Sequence, residues 1–314
     1  MPVRFAFSSH TPLKEYCEVP VPVSDAVKSA HLSLQEWVSD YDPELVIALG
    51  PDHFNGFFYN IMPPFCIGVT SEAVGDWNTP RGEIRSSEEV ALNLLSFAHE
   101  HGVDVASSYN MKVDHGISQF LAQLFLWDSL PPVIPIFVNC AAPPRPPLNR
   151  LLELGKIIGK FSKTLDLRIL VTASGGLSHD PPIPLLIGAT GKLKDRLIDG
   201  GELSLEARES RQKVVVEEAK KQALSESLRT PLNPKWDRFF IEKIRHFDFE
   251  PIVAINDKEM TNTAGCGSHE IRTWLAVAAA AQEYGLKDLD LLLYLPIPEW
   301  VAGYAIMKGG GHRD

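Results

Sequence analysis

Short apolar runs recur along the chain, and each stops at a turn. The clearest is Leu45–Leu49 (LVIAL), partly β-branched, long enough for a buried strand and too short for a helix. Gly50-Pro51 breaks it, and Asp52-His53 follows inside a glycine- and aromatic-rich loop. Val3–Phe7, Val103–Ser107, Val133–Val138, Arg168–Thr172 and Leu289–Leu295 read as strands in the same way. Between them the apolar spacing lengthens to the helical period. Helices are predicted over 25–41 (Ser24 or Asp25 as N-cap), 86–101 (a capping box from Ser86 to Glu89), 117–127, 148–164, 233–248 and 269–284 (Ser268 as cap, Gly285 as stop). Residues 63–80 read as an irregular, aromatic-containing excursion.

Strands alternating with helices predict an α/β fold, a central mixed sheet flanked by helices, with 1–314 as one catalytic domain. A charged helical insertion is expected at about 190–245. Over 191–227 Glu and Lys/Arg recur at i, i+3 and i+4, the pattern of a solvated helix with an apolar stripe at Val214, Val215 and Ala219.

Charge narrows the function classes. A formal net charge of −10 over 314 residues argues against a general nucleic-acid or anionic-membrane binder, since both need a basic face. Cys17, Cys66, Cys140 and Cys266 are scattered without metal-site or disulfide-framework spacing, which fits a reducing, cytoplasmic setting. The start, MPVRFAFSSH, lacks the pattern of a secretory signal, and no apolar run reaches the length of a membrane span.

The candidate chemistry sits at strand exits. His10, His53, His115 and His179 each follow a predicted strand closely. Two neutral imidazoles and a carboxylate, as in His10, His53 and Glu270, leave open positions on a divalent metal and suit non-haem Fe(II); the same donors suit catalytic zinc. Glu270 falls in a predicted first helical turn, where a carboxylate is favoured by roughly 0.3–1 kcal/mol without any metal. His269 beside it competes for the site, and neighbouring helix positions point about 100° apart. His115 and His179 can take and give protons near neutrality. Asp52, Asp114 and Asp180 each adjoin a histidine, but sequence neighbours point apart. Ser174-Gly175-Gly176 after a strand lacks the flanks of a nucleophile elbow. No Gly-rich phosphate loop is present. His31, His99, His101, His246 and His312 read as surface or packing residues.

SSHTPL, PELVIALGPDHFNGFFY, MPPFCIGV, VDHGISQ, SGGLSHDPP, PLNPKWD, SHEIRTW and PIPEWVAG occur in this order through nearly the whole chain. In them the chain resembles the class III extradiol ring-cleavage dioxygenases. That resemblance implies Fe(II) held by His10, His53 and Glu270, with His179 as proton acceptor and His115 as proton donor. Asp180 stands where close relatives are expected to carry Gln. The implied reaction is cleavage of a catechol ring beside the diol, with both atoms of O2 incorporated. The implied substrate is 2,3-dihydroxyphenylpropionate or 2,3-dihydroxycinnamate, met in bacterial aromatic catabolism, and the implied assembly is a homo-oligomer. Phe57, Phe58, Phe65 and Trp77 are expected to form an apolar wall for the ring. Two other readings stay open: a zinc hydrolase with the same three donors, and a non-catalytic binding protein.

Overall fold

The computed structural model describes residues 3–201 and 203–310, apart from the side chain of Leu205; His312 lies outside them. The strands are β1 (Val3–Ser8), β2 (Leu45–Gly50), β3 (Phe65–Gly68), β4 (Ser71–Val74), β5 (Arg81–Ile84), β6 (Ala106–Ser108), β7 (Met111–Val113), β8 (Val133–Val138), β9 (Ile169–Ser174), β10 (Asp290–Ile297) and β11 (Ala302–Gly309). The helices are α1 (Val21–Tyr41), α2 (Glu88–Glu100), α3 (His115–Leu124), α4 (Leu148–Thr164), α5 (Gly191–Asp199), α6 (Leu205–Ala223), α7 (Pro234–Arg245), α8 (Glu250–Val253), α9 (Asp257–Ala264) and α10 (Ile271–Tyr284).

An eight-stranded mixed sheet in the order β10-β11-β1-β9-β2-β8-β3-β6 forms the centre. Its middle strands β1, β9, β2 and β8 are parallel, whereas β11 runs antiparallel to β1 and β3 to β8. All four middle strands are buried at every position. Helices cover both faces, so these strands show near-continuous apolar runs rather than alternation. Along β2, Leu45, Ile47 and Leu49 enter one core and Val46 and Ala48 the other. The α/β architecture expected from the sequence is therefore present. A second, three-stranded sheet, β5-β4-β7, stands beside it.

Helices α2, α4, α7 and α10 fill one face, α1 and α3 the other. Helix α10 is alanine-rich because it is buried nearly all round, with Ala276 and Ala278–Ala281 at most 1% exposed. It lies hard against α4. A Cβ added at Gly155 would come within 2.1 Å of the Ala276 carbonyl oxygen, and one at Gly159 within 2.6 Å of that of Ala280. Small residues let the two backbones touch.

Several boundaries differ from the sequence reading. Helix α1 starts at Val21, with Pro22 in its first turn, where a missing N–H costs nothing. Ser24 does not cap it; its hydroxyl bonds the Val21 carbonyl. The capping box at α2 does not form, because Ser86 Oγ donates to the Ile84 carbonyl instead. The excursion at 63–80 contains β3 and β4, four-residue strands that pairing sustains where periodicity is too short to show. Ser268 does not cap the long helix: a 3-10 turn, Cys266–Glu270, precedes α10, and Ser268 Oγ bonds the Gly265 carbonyl. The short helices α8 and α9 and the final strand β11 were not foreseen. Helix α6 is not simply solvated: Ala219 is fully buried, and the helix packs against the turn Pro298–Trp300. No helix among the described residues is long and apolar enough to cross a membrane.

Gly155→Val should destabilise the protein by about 1–3 kcal/mol, since overpacking at backbone contact cannot be relieved by a rotamer change. Thermal unfolding followed by circular dichroism should show a Tm lower by several degrees; an unchanged Tm would refute the backbone contact.

Candidate active site

Three adjacent parallel strands deliver most of the site from their carboxyl ends, where α/β sheets place ligands. His10 stands two residues past β1, His53 three past β2 and His179 five past β9. Helix α10 is fastened across this edge: Trp274 Nε1 donates to the Gly175 carbonyl (2.9 Å) and Thr273 Oγ1 to that of Ser174 (2.9 Å). These bonds set Glu270, at the N-cap position of α10, over the strand ends. His115 opens α3 from the other side.

The carboxylate of Glu270 is the meeting point. Oε1 lies 3.2 Å from His53 Nε2 and 3.5 Å from His179 Nε2; Oε2 lies 3.5 Å from His10 Nε2 and accepts the Gly176 N–H at 2.6 Å. His53 and His115 stack with centroids 4.2 Å apart, and His10 meets each edge-on at 5.4 Å. His10, His53 and His115 each offer a ligand nitrogen within 4.8 Å of the others. The five residues singled out in the sequence are thus brought together.

Each imidazole is held by its Nδ1, which leaves Nε2 as the nitrogen that a metal or a proton could take. His10 Nδ1 pairs with Ser174 Oγ (3.0 Å), His53 Nδ1 with Asp114 Oδ2 (3.1 Å), His115 Nδ1 with Asp76 Oδ2 (2.5 Å) and His179 Nδ1 with the Leu177 carbonyl (2.9 Å). The pairing is crosswise: Asp114 precedes His115 but orients His53, and His115 is held by Asp76. Asp76 was missed, and nothing in sequence spacing links it to a histidine 39 positions away. Ser174 positions His10 rather than acting as a nucleophile.

Other candidates lie outside the cluster. His269 turns away, its Nε2 on Thr261 Oγ1 (2.7 Å) and Nδ1 beside Arg272 Nη1 (2.8 Å). Asp52 gathers the backbone N–H groups of Asn55, Gly56 and Phe57, and burial beside Asp114 pushes its carboxyl up to about 7. Asp180 accepts from the amides of Cys266 and Thr230, tying two loops behind His179.

Burial drags His10 down to about 3, the neutral, lone-pair form a metal requires. Burial alone would raise Glu270, but His10, His179 and His53 hold it well below the carboxylate range. For His53 burial works downward, yet Asp114 and Glu270 outweigh it and raise the group. His179 is likewise raised, burial being overcome by Glu270 and the Leu177 carbonyl. A buried carboxylate facing several imidazoles needs positive charge, and a divalent cation fits that need and this donor set.

The cluster forms one end of a cavity of about 350 Å³, a size typical of small-molecule sites. Leu13, Trp77, Ile183 and Trp300 give it apolar walls, and Arg208 and Arg211 of α6 line it too. Of the four aromatics expected to form the wall, only Trp77 does. Phe57 stacks on Phe137 at 3.8 Å, Phe65 is buried in the core, and Phe58 packs beneath the Arg196 guanidinium. Each is engaged elsewhere.

Residues 4–304 match the family model described as the catalytic LigB subunit of aromatic ring-opening dioxygenase. The chain belongs to this family and is an extradiol ring-cleavage dioxygenase, an oxidoreductase. Enzymes of the family use a metal, typically Fe(II), and act on an aromatic diol and O2. Similar proteins include the 2,3-dihydroxyphenylpropionate/2,3-dihydroxicinnamic acid 1,2-dioxygenases of Paraburkholderia xenovorans (42% identity, covering 98% of this chain and 97% of that one) and Photorhabdus laumondii (41%, with 98% and 97%). The protein of the same name from Rhodococcus rhodochrous is 41% identical, with 95% of each chain covered. The crystal structure of an uncharacterized Escherichia coli K12 protein shares the fold at 13% identity, with a TM-score of 0.56 and 97% and 98% of the two chains aligned.

His179 sits in a glycine cradle. A Cβ at Gly267 would lie 2.1 Å from its Nε2, and one at Gly176 2.4 Å from its Cε1. Gly267→Ala should shift the ring and lower turnover on the order of a hundredfold, as misplaced catalytic groups do. Far-UV circular dichroism should stay unchanged; full activity in the folded variant would refute the cradle.

Proposed function

We propose that this enzyme cleaves the ring of 2,3-dihydroxyphenylpropionate or 2,3-dihydroxycinnamate beside the diol, using Fe(II) held by His10, His53 and Glu270. The observation that carries the reading is the convergence of these three donors with His115 and His179 at one end of a cavity sized for a substituted ring. Membership of the ring-opening family favours this over zinc hydrolysis or a non-catalytic role, and relatives about 40% identical bear the names of these two substrates.

Bound Fe(II) supplies a template for diol and dioxygen, Lewis acidity, and a path for electrons from ring to oxygen. The chain's own residues manage protons and orientation. Leu177 fixes the Nδ1–H tautomer of His179, so Nε2 presents its lone pair to the cavity and takes a catechol proton. His115 acts in the opposite sense. Asp76 on its Nδ1 holds the ring, so that Nε2 is the nitrogen from which a proton would pass to the reacting oxygen. Asp114 and Ser174 hold the two ligand rings, and Trp77 and Trp300 keep water from the face of the substrate. The bond between the hydroxylated carbon and its neighbour breaks, and both oxygen atoms remain in the product.

The same reading takes 1–314 as one catalytic domain and the protein as a cytoplasmic homo-oligomer, its four cysteines being unpaired.

Oxygen uptake should be measured after loading with Fe(II) under argon. Uptake with 2,3-dihydroxyphenylpropionate and a new yellow chromophore is expected; neither one, despite bound iron, overturns the reading. His10→Ala and His53→Ala should lose iron by metal analysis. His179→Ala should keep iron and lose turnover. Asp76→Asn should keep iron and lower kcat by roughly 10–100-fold, the usual cost of removing an orienting partner.

A further inference from the structure

The lining of the cavity has two chemically different parts. Beyond the histidines and Glu270 it reaches α6, where Arg208, Arg211, Gln212 and Val215 line it at i, i+3, i+4 and i+7, one stripe of the helix. Three arginines line the cavity, and one is committed: Arg229 lies 3.9 Å from Asp180 Oδ1 and donates to the Pro181 carbonyl at 3.2 Å. The guanidinium groups of Arg208 and Arg211 make no hydrogen bond or ion pair with a described residue. No lysine lines the cavity among the described residues. Like charges three residues apart on a helix repel. Here they are half-buried, and Arg196 adds a third cation nearby. Burial lowers the Arg211 guanidinium, and the charges of Asp114, Asp76 and Asp52 reach it, which puts it within electrostatic range of the histidine end. Two guanidiniums in the cavity wall with no hydrogen-bonded partner among the described residues are placed to receive an anion.

We propose that Arg208 and Arg211 bind the side-chain carboxylate of the substrate, and so select catechols that carry one. The inference rests on the ring-cleavage reading for the diol end, but the carboxylate end is argued from α6 alone. A guanidinium matches a carboxylate with two parallel N–H donors. The ring then lies between, against Trp77 and Trp300. An orienting contact of this kind acts on bound substrate and transition state alike, so it appears in KM more than in kcat.

The first test needs no metal. Binding of 3-phenylpropionate and of 3-phenylpropanol, its uncharged counterpart, is measured by isothermal titration calorimetry on the metal-free full chain. Wild type should prefer the carboxylate. Arg208→Met and Arg211→Met should each weaken its binding roughly 10–100-fold, the range of a charge-assisted hydrogen bond, and leave the alcohol unchanged. Arg211→Lys should recover part of the loss, which guards against misfolding as the cause. No preference in wild type, no change in the variants, or equal weakening for both ligands would overturn the proposal; the last would mark the arginines as counter-charges for the site's carboxylates. With Fe(II)-loaded enzyme, the Met variants should raise KM for 2,3-dihydroxyphenylpropionate and leave 3-propylcatechol unaffected. If wild type turns over neither catechol, ring cleavage fails as a reading while the calorimetry still decides the carboxylate site.

Discussion

A buried carboxylate is the constraint from which the arrangement of this enzyme follows. Glu270 is 4% exposed, and leaving such an anion unpaired costs several kcal/mol even after relaxation. Three imidazole nitrogens and the Gly176 amide surround it, drawn from the exits of three neighbouring strands. Holding the helix that carries it requires Trp274 and Thr273 to bond the β9 exit, and the close seating of that helix on α4 requires glycine and alanine between them. The same group that unites the site therefore dictates the packing of a whole layer.

Much of this was legible in the chain. The strand exits drew attention to His10, His53, His115 and His179, because a histidine after a short buried run lies at the edge where α/β sheets do chemistry. Helix 148–164 coincides with α4, since a strong apolar stripe leaves little choice of boundary. What escaped notice depends on tertiary geometry. Whether Glu270 or His269 faces inward is settled by the 3-10 turn before α10, which sequence periodicity does not register. Asp76 reaches His115 through a turn in which Gly75, Trp77 and Asn78 adopt left-handed backbone angles. Asp114 does point away from its sequence neighbour His115, as neighbours do, but it orients His53, which only the fold brings to it. Arg208 and Arg211 were read as part of a solvated face, because charges at i and i+3 look the same whether water or a cavity lies opposite.

The two ends of the cavity have different origins in the fold. The histidine end is built largely from the exits of the middle strands of the central sheet, which are buried at every position. The arginine end belongs to α6, whose cavity-lining face leads into one fully buried alanine, Ala219. On the proposed reading, reaction and recognition fall to different parts of the fold. The sheet edge can stay unchanged while the helix that covers it varies, which separates what is done to the ring from what the ring may carry.

Asp114 has a consequence of another kind. Its Oδ1 caps α3 by accepting the Gly116 amide, while its Oδ2 takes both the backbone N–H and the Nδ1 of His53. Fraying of the first turn of α3 would thus release a ring on a different strand exit, and settling of that ring would restore the turn. Helix opening and donor-set assembly become a single cooperative event. The slowest amide to exchange at the start of α3 is then a clock for how often the donor set comes apart.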